Sequence, residues 1–316
     1  AYQPEVFIGT APHASYALIK TEKELSETPE EMMNWIAGAE FADSIGADII
    51  NSSLGYSTFD DPNDDYSVSD LDGRTSIISL GALAAARTGM LVVTSAGNAG
   101  GSSWDKLTFP ADADSILTVG SVTQYGVASS FSSRGYTVDG RVKPNVCARG
   151  EGAVVYRSDG TLAYANGTSF SSPIMAGAAA CLWSTVPDAT AQEVIEALEV
   201  SASHYYQHNP RIGYGIPNLG FAHRYLSTIV DGKLPEIVVY PNPFPDYISL
   251  FLPDGEALDI HLELRDLNQR TVAITTLESK RYKALWSPGD NIAPGTYILY
   301  IERGGRTQMQ RVIKLL

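Results

Sequence analysis

Two styles of hydrophobic patterning divide the chain. In the first, apolar positions recur at helical spacing and alternate with short, wholly apolar runs. Thr28-Pro29-Glu30-Glu31 has the spacing of a capping box with proline at the first helical position. Met32, Trp35, Ile36 and Ala39 then share one helical face, and Gly46 stops the helix. Ala47–Ser52 reads as a buried strand, Ile77–Arg87 as a second helix closed by Gly89, and Met90–Thr94 as the next strand. Ser115–Val122 reads as another strand, and Thr190 opens a helix with Val194, Ile195 and Leu198 inside. Strands alternating with helices predict an α/β fold, a parallel sheet with helices on both faces.

The second style is strict alternation. Leu258, Ile260, Leu262 and Leu264 alternate with Asp259, His261, Glu263 and Arg265, and Tyr297, Leu299 and Ile301 line one face of a further strand. Together with 237–240, 247–252, 271–275, 282–286 and 308–313, this gives about seven short strands. That pattern predicts a C-terminal all-β, Ig-like sandwich. The expected division is residues 1–230, a linker at 231–235 (Asp-Gly-Lys-Leu-Pro), and residues 236–316. Charge changes at the same place. Residues 1–234 carry 26 acidic and 13 basic side chains, and residues 235–316 carry 10 and 9.

The whole chain of 316 residues has a formal net charge of −14, which argues against nucleic acid as a partner. No apolar run approaches the ~18 residues of a transmembrane segment. Cys147 and Cys181 are the two cysteines, too few for a disulfide framework or a cysteine zinc site. Both have apolar neighbours and read as buried free thiols, with a bridge between them left open. No Gly-x-Gly-x-x-Gly follows a strand, which sets a dinucleotide enzyme aside.

Three stretches carry chemistry. In Asn166-Gly167-Thr168-Ser169-Phe170-Ser171-Ser172-Pro173, a serine sits where a glycine turn enters a helix of small residues, with Pro173 expected in its first turn. A hydroxyl there feels unpaired backbone N–H groups and the positive end of the helix dipole. Read without context, the same segment is a buried helix with a serine cap. In Ser95-Ala96-Gly97-Asn98-Ala99-Gly100, a strand ends on an asparagine between small residues, which alone is an ordinary turn. Asn51-Ser52-Ser53-Leu54-Gly55 is a strand running into a glycine turn.

In this order, the three stretches resemble the subtilisin-like serine peptidases (subtilases) over about residues 5–225. Gly9–Ala14, Phe131–Gly135 and Lys143–Val146 fit the same pattern. The resemblance implies a Ser-His-Asp endopeptidase acting on peptide or protein substrates, with Ser169 as nucleophile and Asn98 in the oxyanion hole. It implies that Ser53, Leu54 and Gly55 pair with extended substrate, and that Ser95, Ala96 and Gly97 wall the pocket for the residue before the scissile bond.

The departures are equally informative. No Asp-Thr-Gly or Asp-Ser-Gly strand end and no His-Gly-Thr helix start is present, and His13, His204, His208, His223 and His261 are all in other contexts. The expectation is that a preceding segment of the same precursor supplies the catalytic Asp and His, and that this chain alone is at most feebly active. Ala148-Arg149-Gly150 and Ile174-Met175 are smaller departures. An inactive peptide-binding shell or surface protein is the alternative. No cofactor is needed for the chemistry. Asp60, Asp61, Asp64, Asp65, Asp70 and Asp72 are weak candidate calcium ligands, and a solvated acidic loop at the rim of the cleft is the favoured reading.

The tail resembles the C-terminal sorting domain of the type IX secretion system. The likeness lies in Tyr240-Pro241-Asn242-Pro243, the Gly295-Thr296-Tyr297 strand start and the Lys314-Leu315-Leu316 finish. It implies that the type IX machinery is a partner, and that the chain is exported through an outer membrane to the surface or the medium. A substrate-binding module is the alternative.

Overall fold

The computed structural model describes residues 2–3, 7–23, 25–205, 207–231, 237–252, 258–278, 283–289 and 291–315. Two compact units divide the chain at Ala1–Leu226 and Ser227–Leu316.

In the first unit, a two-residue pair β1 (Tyr2–Gln3) and β2 (Phe7–Ile8) precedes helix α1 (Pro29–Ser44). The capping box is present: the Glu31 carboxylate accepts the Thr28 N–H at 3.3 Å and the Lys23 N–H at 2.7 Å. Strand β3 (Ile49–Ser52), helix α2 (Ile77–Arg87), and strands β4 (Leu91–Ser95), β5 (Leu117–Val122) and β6 (Val146–Arg149) follow. These strands form one parallel sheet in the order β3-β4-β5-β6. A hairpin, β7 (Ala153–Tyr156) with β8 (Leu162–Ala165), leads into α3 (Thr168–Thr185), then α4 (Ala191–Val200) and α5 (Leu219–Asp231), whose last residues fall past the division at 226/227.

Helices cover both faces of the sheet, and two adjacent residues of β3 show it. The Asn51 carboxamide oxygen accepts from Ser172 of α3 at 2.8 Å. The next side chain, Ser52, accepts from the Trp35 indole of α1 at 2.9 Å. Successive side chains of a strand point to opposite faces, so α1 and α3 sandwich the sheet. The core between α1, α2 and β4 includes Met32, Trp35, Ile78, Ala82 and Val92.

Two cysteine expectations divide. Cys147 is buried on β6, but Cys181 is exposed on α3, where its thiol donates to Thr10 O at 3.0 Å. Apolar sequence neighbours misled here, because a helix turns roughly 100° per residue and its neighbours in sequence face elsewhere. Both cysteines are free.

The second unit contains two antiparallel sheets. One orders β13 (Lys283–Trp286), β10 (Ile248–Phe251) and β9 (Val238–Tyr240). The other orders β12 (Thr271–Glu278), β11 (Asp259–Arg265), β14 (Gly295–Arg303) and β15 (Arg306–Lys314). Val239, Ile248 and Leu250 of the first sheet and Ile260, Leu262, Leu299 and Val312 of the second share one buried core. The alternation along β11 is realised residue by residue, with Ile260, Leu262 and Leu264 fully buried. Of the expected linker, Asp231 ends α5, and 232–235 lie outside the described residues.

Candidate active site

Ser169 is the second residue of α3, so its backbone N–H has no acceptor within the helix. Its hydroxyl is half-buried and lies 3.5 Å from Ser53 O at the end of β3. Asn98, three residues beyond β4, is exposed and reaches the same helix start. Asn98 Oδ1 accepts from Thr168 N at 2.8 Å and from Thr168 Oγ1 at 2.9 Å. A backbone N–H only donates, so this bond fixes which way the carboxamide faces. Oδ1 is bound to Thr168, and Nδ2 is left as a donor. Nδ2 lies against Gly167: a methyl group placed on that glycine would stand 3.6 Å from it. A nucleophile-capable hydroxyl, a helix-start N–H and an oriented amide are thus assembled from segments some 70 residues apart.

Pro173 stands inside α3, not in its first turn, because the helix begins at Thr168. Proline has no N–H to give the carbonyl four residues back, which is Ser169 O. Ser53 Oγ donates to that carbonyl at 3.0 Å instead. Ser53, expected to meet substrate, therefore ties β3 to the helix start, and Ser172 to Asn51 is a second tie. Thr168 and Asn51 escaped sequence reasoning. The Gly-Thr-Ser triplet was the available signal for Thr168, since Thr is a helix-start residue with a free hydroxyl.

Leu54, Gly55, Ser95, Ala96 and Gly97 lie on the two strand ends that flank Ser169, and Ser95, Ala96 and Gly97 are buried. Among the described residues, none of the hydrogen bonds made by histidines involves Ser169. His204 pairs with Ser203, His208 with Tyr136, His223 with Thr185 and His261 with Thr276. His13 is exposed.

The acidic loop is folded around its own backbone. Asp60 accepts from Glu27 N, Asp61 from Asn63 N, Asp65 from Phe59 N, Asp70 from Ser67 N and Asp72 from Arg74 N and Thr75 N. Asp64 is exposed. Among the described residues, no three of these six aspartates bring their carboxylates within 4.8 Å of one another. Glu22, Glu27 and Glu31 do. There, burial first, and then the charges of Glu31, Glu22 and Asp60, push the Glu27 carboxyl up from its ordinary value.

The outer edge of β3 has no strand beside it among the described residues. An open groove of about 1970 Å³ lies at this edge, lined by residues 7–11 and 14–22, by residues 45–54, by Trp35 and Ala39 of α1 and by Pro173, Ile174 and Gly177 of α3. Residues 14–20 belong to no helix or strand and are exposed, and Leu18 is 95% exposed.

The comparisons with known proteins agree with this geometry. The sequence model of the subtilase family matches residues 2–216. Subtilisin E of Bacillus subtilis (strain 168) is 33% identical over 199 residues, which cover 62% of this chain and 46% of that protein. Subtilisin of Bacillus pumilus is 32% identical over 199 residues, covering 62% and 64%. This chain thus spans about half to two thirds of the length of the subtilisins it matches. Among solved structures, the self-cleaved protease domain of PatA superposes with a TM-score of 0.50 at 27% identity, covering 64% of this chain and 68% of that one. The prenylagaramide maturation protease PagA gives 0.51 at 25% identity, covering 62% and 67%. A sequence match over two thirds of the chain, and the parallel sheet whose strand ends meet Ser169, place this protein in the subtilase family.

Proposed function

We propose that this chain is the serine-bearing part of a secreted endopeptidase that hydrolyses peptide bonds through an acyl-enzyme. Ser169 Oγ attacks the substrate carbonyl carbon and gives its proton to a base. Negative charge passes to the carbonyl oxygen, where Asn98 Nδ2 and Ser169 N–H receive it. Collapse expels the amine, which takes the proton from the base, and water then releases the acid by the same steps. The carrying observation is the double hydrogen bond from Thr168 to Asn98 Oδ1, which leaves Nδ2 as a donor next to the serine.

The general base and its orienting carboxylate come from a preceding segment of the same precursor that seats in the groove beside β3. The strand edge with no neighbour among the described residues, the exposed segment that lines the same groove and the shorter span of this chain relative to the subtilisins support that reading. The chemistry takes no cofactor.

In this reading the tail unit, residues 236–316, is an Ig-like sandwich that serves as a type IX sorting signal, with surface or extracellular delivery through an outer membrane. Its seven strands around one core and the Tyr-Pro-Asn-Pro opening support it. Among the described residues no helix is long and apolar enough to cross a membrane.

A fluorophosphonate probe applied to the full-length gene product tests the proposal. Labelling is expected at Ser169 and is lost in Ser169→Ala. Residues 1–316 alone should react slower by about 10⁶, the order of loss in kcat when the base of such a triad is removed. Adding the preceding segment in trans should restore the rate. An unlabelled full-length product would favour the non-catalytic peptide-binding shell.

A further inference from the structure

Asn98 stands on a turn whose backbone is held from outside. Ser133 N donates to Gly97 O at 3.0 Å, and Ser133 Oγ accepts from Ala99 N at 3.0 Å. One residue thus bonds the backbone on both sides of Asn98. Gly100 N donates to Phe131 O at 2.8 Å, further along the same two segments. Ser133 is fully buried, so its hydroxyl takes the place of water as acceptor for the Ala99 N–H.

Two glycines let the segments come this close. A Cβ at Gly97, whose φ is +101°, would stand 2.8 Å from Ser133 Oγ. A Cβ at Gly100 would overlap Ser132 O and stand 2.6 Å from Ser130 O. The turn that carries Asn98 is therefore seated directly on residues 130–133. Those residues are anchored in their turn. Ser132 Oγ accepts from Ser121 N of β5 at 3.0 Å, and the Arg134 guanidinium pairs with the Asp105 carboxylate at 3.1 Å.

We propose that Ser133 is a positioning residue for peptide-bond hydrolysis, holding the turn from which Asn98 reaches the developing oxyanion. The proposal rests on the reading of Ser169 as the nucleophile and Asn98 as the donor. A donor stabilises the transition state only when it is already fixed where the charge will develop. Thr168, on α3, settles which end of the Asn98 carboxamide faces the serine. Ser133, between β5 and β6, settles where the backbone that carries it stands. Without the Ser133 hydroxyl, the Ala99 N–H has to find another acceptor, and the backbone next to Asn98 turns with it. Ser133 is buried away from substrate and acts only through Asn98.

The test measures kcat and KM on a peptide ester with the full-length product, and the thermal midpoint of each variant. Ser133→Ala should lower kcat about fivefold, the worth of one neutral hydrogen bond, with KM unchanged. Ser132→Ala is the structural control, because that serine is also buried but its hydroxyl serves β5 and not the Asn98 turn. It should lower the thermal midpoint as Ser133→Ala does and leave kcat near that of wild type. Ser133→Cys keeps a weak acceptor in nearly the same volume, should fall between wild type and Ser133→Ala, and carries the test if the alanine variant does not fold. Once Asn98 is alanine, adding Ser133→Ala should cost no further kcat. Wild-type kcat in both Ser133 variants, a loss in KM instead of kcat, an equal loss of kcat in Ser132→Ala, or a further fivefold loss on top of Asn98→Ala would each overturn the proposal. A failed nucleophile assignment reads differently. Wild-type full-length product then takes no fluorophosphonate label at Ser169, which overturns both readings, whereas a labelled wild type with unaffected Ser133 variants overturns the positioning role alone.

Discussion

Thr168 touches no reacting atom in the proposed mechanism, yet it orients the group that does. Thr168→Val is nearly isosteric, removes the 2.9 Å hydroxyl bond to Asn98 Oδ1, and leaves the 2.8 Å backbone bond. One neutral hydrogen bond is worth about 1 kcal/mol net, or roughly fivefold in rate. The loss should fall on kcat with KM unchanged, because Asn98 Nδ2 meets charge that develops only in the transition state. Asn98→Ala removes the donor itself and should cost about 10²–10³. If Thr168 acts only through Asn98, then Thr168→Val should cost nothing further once Asn98 is alanine, and the double variant should match Asn98→Ala. The assay is the rate of fluorophosphonate labelling of Ser169 in the full-length product, alongside kcat on a peptide ester. A double variant about fivefold slower than Asn98→Ala would refute the reasoning, since Thr168 would then be acting elsewhere. So would a Thr168→Val protein as fast as wild type.

Three other tests address the scaffold. Ser53→Ala should destabilise the fold by about 1 kcal/mol in urea titrations, because Ser169 O loses the donor that substitutes for the missing Pro173 N–H. In a Pro173→Ala background, where an N–H is available again, the same substitution should cost less than half as much. Burial pushes the Lys143 ammonium down to about 7, below its ordinary 10.5, despite the opposing charges of Glu199 and Asp112. The unfolded chain therefore binds more protons between these values, and stability should rise with pH from about 7 to 10.5, by up to about 1.4 kcal/mol per pH unit from this group. Lys143→Met should remove that rise, and an unchanged slope of urea midpoint against pH would reject the assignment. Burial also pushes the Cys147 thiol up to about 12, while Cys181 is exposed. A chromogenic disulfide reagent should titrate one thiol quickly and the second only after unfolding.

Periodicity made most of the architecture legible. The alternation at 258–265 became β11, and all seven strands of the tail unit are present, at bounds close to those expected. Helices with a clear cap or a clear apolar face, α1, α2 and α4, were also readable. The β7–β8 hairpin was not, because its outward residues Tyr156, Leu162 and Tyr164 are apolar and exposed, which erases the polar half of the alternation. Helix α5 did carry a signal, since Asn218 Oδ1 accepts from Phe221 N at 3.0 Å as a helix cap. Gly220 and the neighbouring Pro217 weakened it.

The site was legible as a set of residues but not as a set of contacts, and the difference is physical. Ser169 and Asn98 stand out because their flanking glycines and small residues are demanded by close backbone approach. What orients them is invisible in a local window. Asn98 is turned by Thr168, 70 residues on, and Ser169 O is served by Ser53, 116 residues back. Pro173 was misread for the same reason. Seen locally, it marks a helix start, yet the fold tolerates it in the interior because a hydroxyl from another strand meets the carbonyl it abandons. The exception that breaks the local helix rule is therefore what joins β3 to α3. That junction is where the serine hydroxyl, the oriented amide and the edge of the sheet meet.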